Sequence, residues 1–298
     1  MEHKQENMTV EYYLNNDNQK KFFDAMGFEV YELLTLIGEK KVNVLTLDNF
    51  IDDKELNEKG LQAYRALAYD QKFEESRQKC LLYGSESHRS LKENGYIKIS
   101  NVMSREKLKH LQTNILNLNT LTKKVSSNLP LLMDISSHKQ MQDVFRLCQA
   151  NNLYFEKSLY LRRISHSVFD EADEDSRQYN FHVDKFYPNY KVWYYPFEVK
   201  EKHGPLAFFR ASHVNTVERL RWLKEKSLNQ SNWSRLHYNV TDYEESAKKL
   251  KLKDEVKCSA QSNTMFIVDT RMFHRRTPTP VGTLRLSFRA ILARENLF

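Results

Sequence analysis

The segment Phe181-His182-Val183-Asp184 sets an imidazole and a carboxylate two positions apart. On a strand, residues i and i+2 share a face, so His182 and Asp184 project together while Phe181 and Val183 pack behind them. That pair is two-thirds of a facial triad, a donor set that suits iron(II) because it leaves positions open for a chelating cosubstrate and dioxygen. With ten histidines and 39 acidic residues in the chain, about one such pair is expected by chance. A second segment supplies the missing donor. Asn263 to Asp269 is an apolar strand that breaks into Thr270-Arg271-Met272-Phe273-His274, delivering a histidine at a strand end where a third ligand can approach the first two.

Arg285 follows His274 by eleven positions. Alternation around it is strict: Leu284, Leu286, Phe288 and Ala290 face one way, Arg285, Ser287 and Arg289 the other. A guanidinium in so apolar a strand must find an anion or remain expensive to bury. Its forked donors match a carboxylate, as anchoring a dicarboxylic acid requires. Arg289, on the same face, is the second candidate. The competing reading of this strand is an edge position with a wet polar face.

The elements that must position these residues divide the chain by texture. Phe22, Phe23, Met26, Val30, Leu33 and Leu34 repeat at helical steps, and Leu61 to Leu82 forms a second helix. Between them Val42 to Leu47 alternates as a short strand. Residues 1–85 are thus expected to be an N-terminal helical region packing on the core. From residue 86 to 298 strands dominate, preceded by a helix capped at Ser104 and another near Lys139 to Cys148. Strands are expected at 159–164, 179–186, 191–199, 206–209, 264–269 and 284–292, interrupted by a helical insertion at about 214–250. The expected class is mainly β with flanking helices (α+β), a sandwich or jelly-roll barrel.

Composition narrows the function classes. The 298 residues can bury a proper core, and the 17 Phe and 16 Tyr suit strands and pocket walls. A net charge of +7 fits an anionic partner, but bases and acids are interleaved, as in Arg105-Glu106-Lys107, which argues against nucleic acid. Three cysteines in no paired spacing point to reduced thiols and a cytoplasmic protein. Neither a signal peptide nor a membrane-spanning run is legible.

Four ordered pieces resemble the phytanoyl-CoA dioxygenase-like branch of the iron(II)/2-oxoglutarate oxygenases, over about Leu91 to Leu292. They are Glu93 to Val102 as an opening strand, His182-Val183-Asp184, Gly204-Pro205-Leu206 through Ala211-Ser212-His213, and Phe266 to His274 followed by Arg285. The resemblance implies a double-stranded β-helix (jelly-roll, cupin-like) core. It also implies iron(II) held by His182, Asp184 and His274, with 2-oxoglutarate and O2 as cosubstrates and succinate and CO2 as products. The substrate implied is a small-molecule or carrier-conjugated metabolite, an anionic one fitting the charge. Related halogenases carry a small residue where Asp184 stands, so the carboxylate implies a hydroxylase-type outcome. One departure is Arg210-Ala211 in place of the usual Pro-Gly, which frees Arg210 for substrate. His213 is expected to cap the helix after it rather than to bind metal.

Around the motif, Tyr160 or Arg162 is a candidate for the metal-side carboxylate of the cosubstrate, with Gln178, Lys185, Trp193 and Tyr195 as pocket walls. The acidic stretch Asp170 to Asp175 lacks a calcium loop's glycine and spacing and is expected to be solvated. Two rival classes are a catalytically silent binding protein on the same fold and a basic module using Lys248 to Lys253 on nucleic acid or anionic lipid. Oligomeric state is not legible.

Overall fold

A computed structural model describes residues 23, 27, 30–46, 51–116, 122–125, 137–149, 153–155, 159–165, 179–229, 238–239, 248–280 and 283–294. Phe22, Met26, Leu47, Gln178, the acidic stretch 170–175 and the segment 242–247 lie outside the described residues.

The chain groups into two compact units. One comprises residues 1–72 with 215–236; the other comprises 73–214 with 237–298. In the first, the described helices are α1 (Val30–Glu39), α2 (Lys54–Glu58), the first part of α3 (Leu61–Gln78) and, from the expected insertion, α7 (Val217–Asn229). Leu33, Leu56, Leu61 and Trp222 are buried within this unit. The strand expected at Val42 to Leu47 is not formed over 42–46, which run as turns. Side chains of α3 capture the carbonyls a ladder would need: Arg65 Nε donates to Val44 O at 3.0 Å and Nη2 to Thr46 O at 2.9 Å. Tyr69 Oη donates to Leu45 O at 2.5 Å.

The second unit opens with the last turns of α3, then α4 (Glu86–Glu93), β1 (Tyr96–Ser100), α5 (Arg105–Leu116), β2 (Thr122–Val125) and α6 (Lys139–Gln149). Ser104 Oγ accepts from Lys107 N at 3.3 Å, capping α5 as expected. The remaining strands are β3 (Leu153–Phe155), β4 (Leu159–Ser165), β5 (His182–Val183), β6 (Tyr190–Tyr195), β7 (Leu206–Phe209), β8 (Tyr238–Asn239), β9 (Glu255–Lys257), β10 (Thr264–Asp269), β11 (His274–Arg276) and β12 (Leu284–Arg294). They form two antiparallel sheets. The seven-stranded sheet runs β1-β10-β6-β12-β4-β2, with β3 also on β12; the five-stranded sheet runs β8-β5-β11-β7-β9. From β4 to β7 and from β9 to β12 successive strands alternate between the sheets.

Side-chain alternation gives the seven-stranded sheet two different faces. Tyr190, Val192 and Tyr194 of β6, Met265 and Ile267 of β10, and Phe288, Ala290 and Leu292 of β12 pack in one core with Leu91, Ile115, Met141 and Val144 of the helices. Tyr195, Phe266 and Val268 face the other way and pack with Leu206, Phe208 and Cys258 of the five-stranded sheet. Arg285, Ser287 and Arg289 of β12 and Lys191 of β6 sit on this second face. β12 lies between β6 and β4, and although at Arg285 only the β4 side is paired, Arg285 and Ser287 are both buried, so the wet polar face expected of an edge is not found.

Candidate metal centre

β5 is shorter than the expected strand over 179–186, but it suffices to fix the first ligand. His182 pairs directly with His274 across the β5–β11 ladder, so the two imidazoles lie side by side with centroids 4.4 Å apart. Asp184 follows β5, and its N–H donates to Thr270 O at 3.0 Å. That bond brings the strand break before His274 onto the carboxylate. Phe181 stacks on Phe209 at 4.7 Å and Val183 is fully buried, so the hydrophobic neighbours lock the motif from behind.

The three polar groups converge. One ligand atom from each of His182, Asp184 and His274 lies within 4.8 Å of the others, and all three residues are buried. His182 Nε2 is 3.9 Å and His274 Nε2 3.7 Å from Asp184 Oδ1. Both histidines are oriented by the same device. His182 Nδ1 donates to Asn180 O and His274 Nδ1 to Met272 O, each at 2.8 Å. A carbonyl can only accept, so each Nδ1 carries a proton, and in the neutral imidazole each Nε2 then turns its lone pair to the centre. Two imidazoles, in their neutral form, and a carboxylate around one buried point make a donor set for a divalent cation. Nitrogen and oxygen donors without thiolate suit iron(II).

Arg285 is 6% exposed, on the inter-sheet face of β12. Its Nη1 donates to Gly204 O, and the Tyr195 hydroxyl lies beside it. Burial pulls the guanidinium below its ordinary pKa, with Tyr195 opposing and Arg276 reinforcing that shift. Burial likewise pushes the Tyr195 phenol up to about 12, against the nearby Arg285 charge. Nε of Arg285 meets no acceptor, and no carboxylate of the described residues neutralises this cation. Arg289 is half-buried four residues on, opposite Trp193.

Register places Tyr160 opposite Arg289 and Arg162 opposite Ser287 on β4, but their side chains lie outside the described residues. The Gly-Pro motif gains a role: Gly204 (φ 63°) supplies the carbonyl that Arg285 uses. A Cβ there would fall 2.0 Å from Thr279 Oγ1, so the position excludes any side chain. Ala211, where the resemblance expects glycine, retains a left-handed φ of 58° and donates to Asn94 O at 3.1 Å. Arg210 is exposed. His213 does not cap α7; Thr216 Oγ1 does, accepting from Arg219 N at 3.2 Å. His213 is buried and donates from Nε2 to Lys92 O at 3.1 Å.

The residue missed in the sequence is Lys191. Its Nζ lies 2.5 Å from Asp184 Oδ2. The signal available was a lysine embedded in Tyr190-Lys191-Val192-Trp193-Tyr194-Tyr195, on the face opposite the Tyr190-Val192-Tyr194 core. Lys191 and Tyr195 share that face of β6, one touching the triad and the other beside Arg285. Four residues of strand separate them by about 13 Å between Cα atoms. Lys185, next to Asp184, is half-buried, and burial holds its ammonium below the usual pKa despite the neighbouring carboxylate.

No protein-family model matches the chain, and no curated protein matches it in sequence. Several solved structures are similar to it over about 70% of the chain. The epimerase SnoN in complex with Fe3+, alpha ketoglutarate and nogalamycin RO is 12% identical, with a TM-score of 0.47 over 70% of this chain and 82% of that one. EctD from S. alaskensis with bound Fe is 14% identical, TM-score 0.47, over 70% and 76%. HygX from Streptomyces hygroscopicus with iron bound is 15% identical, TM-score 0.44, over 72% and 87%. At these values the functional reading rests on the site's own geometry.

Proposed function

We propose that this chain is an iron(II)- and 2-oxoglutarate-dependent oxygenase. In this reading His182, Asp184 and His274 hold the metal and Arg285 anchors the far carboxylate of 2-oxoglutarate. The observation that carries the proposal is the convergence of two imidazole Nε2 atoms and one carboxylate oxygen, with both Nδ1 protons held on backbone carbonyls. The buried Arg285, lacking a carboxylate partner among the described residues, supports the dicarboxylate. The inner face of β6 carries Lys191 beside the triad and Tyr195 beside Arg285.

The two alternating sheets support a double-stranded β-helix (jelly-roll) core, within an oxygenase domain of residues 86–298, with residues 1–85 as a helical region of their own. When bound, iron(II) with 2-oxoglutarate and O2 supplies oxidation of a substrate with release of succinate and CO2. The chain's own residues orient and exclude. The histidines and Asp184 would hold the ion, Arg285 and Tyr195 would orient the cosubstrate, and Phe181 and Val183 pack behind the motif. Asp184, in place of a small residue, fills the position a halide would need, which favours hydroxylation. The substrate class we propose is a small-molecule or carrier-conjugated metabolite. Cytoplasmic residence accords with the free thiols of Cys80 and Cys258. Among the described residues no helix is long and apolar enough to cross a membrane. The basic run Lys248 to Lys253 exposes its lysines and buries Leu250.

Anaerobic titration of iron(II) into the protein with 2-oxoglutarate tests the proposal. The wild type should develop a weak visible metal-to-ligand charge-transfer band saturating at one equivalent, and His274→Ala should give none. A wild type without the band sinks the reading.

A further inference from the structure

The carboxylate of Asp184 has two oxygens with different surroundings. Oδ1 faces the Nε2 atoms of His182 and His274 at 3.9 and 3.7 Å. Oδ2 faces the Lys191 ammonium at 2.5 Å, between side chains only 5% and 15% exposed. Lys191 comes from the seven-stranded sheet, whereas both histidines lie on the five-stranded one, so the contact also ties the sheets together at the site. An ion held by Oδ1 and the imidazoles and an ammonium on Oδ2 do not compete for the same oxygen.

We propose that Lys191 is a positioning residue that restricts Asp184 to ligation through one oxygen and keeps a coordination position open for an anionic chelator. This rests on the metal-centre reading above. A carboxylate with both oxygens available can take a cation with one or with both, and two-oxygen ligation here would consume a position the cosubstrate needs. Lys191 holds Oδ2 back. Its charge also acts on both partners, repelling a divalent cation and attracting a dianion in a site of low effective dielectric.

These two effects give opposite signs, which a merely structural lysine would not. Cobalt(II) chloride titrated into the metal-free full chain, followed by its visible d–d absorption against a competing chelator, reads the first. Calorimetric titration of 2-oxoglutarate into the cobalt-loaded protein reads the second. In Lys191→Met cobalt should bind about tenfold more tightly and 2-oxoglutarate about tenfold more weakly. Lys191→Arg should restore both to within about threefold of wild type. If the Met variant leaves both affinities unchanged, or loses both together, the inference is overturned. A wild type that takes up no cobalt, or a His274→Ala variant that binds it equally well, instead removes the metal-centre reading and this inference with it. Should Lys191→Met fail to fold, the zinc-loaded wild-type crystal structure decides. One-oxygen ligation with Lys191 on Oδ2 upholds the inference; two-oxygen ligation, or Lys191 turned away, overturns it.

Discussion

Arg65 in the helical unit and Arg285 between the sheets are both buried arginines, and their donors have opposite fates. Arg65 is fully buried, and its Nε, Nη1 and Nη2 donate to Val44 O, Gln62 Oε1 and Thr46 O at 3.0, 3.0 and 2.9 Å. Gln62 in turn donates to Asn57 Oδ1 at 3.0 Å, and Asn57 to Ile51 O at 3.0 Å. The network holds the turn before α2 against α3. Arg285 has one carbonyl, a neighbouring phenol and an Nε without an acceptor. A buried guanidinium that is fully hydrogen-bonded works as a staple, whereas one left short of acceptors is prepared for an anion that comes from outside.

This difference can be broken by experiment. Arg65→Ala strips three acceptors of their donor inside the fold. It should lower unfolding free energy by about 3 kcal/mol or more, seen in urea denaturation of the protein without cosubstrate. Arg285→Met should have little effect on that same curve, because it removes an incompletely solvated buried charge. Its effect should appear instead in the concentration of 2-oxoglutarate needed for half-maximal succinate formation, raised by roughly 10- to 100-fold for a lost charge-assisted anchor of about 1.5–3 kcal/mol. An Arg285→Met protein that unfolds easily but keeps its cosubstrate requirement would make the two arginines alike, and Arg289 would then become the candidate anchor.

The smallest effect expected comes from a third buried arginine, which finds its anion within the chain. Arg271 Nη2 lies 2.7 Å from Asp269 Oδ2, with Asp269 fully buried. Burial pushes the carboxyl up, but Arg271 more than offsets this and leaves its pKa below the usual value. The folded pKa is therefore depressed relative to an unfolded value of about 3.9. The pair's contribution is present above that pH and is lost as pH falls through the folded pKa. Thermal midpoints should accordingly show no Asp269-dependent change between pH 6 and 8, on the order of the neutral range, and a decline only on the acid side of pH 4. Asp269→Asn should flatten that acid limb.

Much of the site was legible because its parts are written in local patterns. The two-residue spacing of His182 and Asp184, the strand break before His274, and the alternation around Arg285 each follow from strand geometry. Strands β7 and β10 were bounded closely for the same reason. Short β5 was overestimated, since Asp184 leaves the ladder to bond Thr270. The missing strand at 42–46 shows the opposite failure: alternation was present, but α3 took its carbonyls from a distance in sequence.

What the sequence determined by itself was the inventory of donors and the face on which each would stand, because side-chain direction on a strand is fixed by parity. Tertiary structure alone decided the pairings. It set His274 directly opposite His182, gave Gly204 O to Arg285, and brought Lys191 from the other sheet onto Asp184. Those contacts cross from strand to strand or from sheet to sheet, so they exist only once the strands have paired and the two sheets have closed.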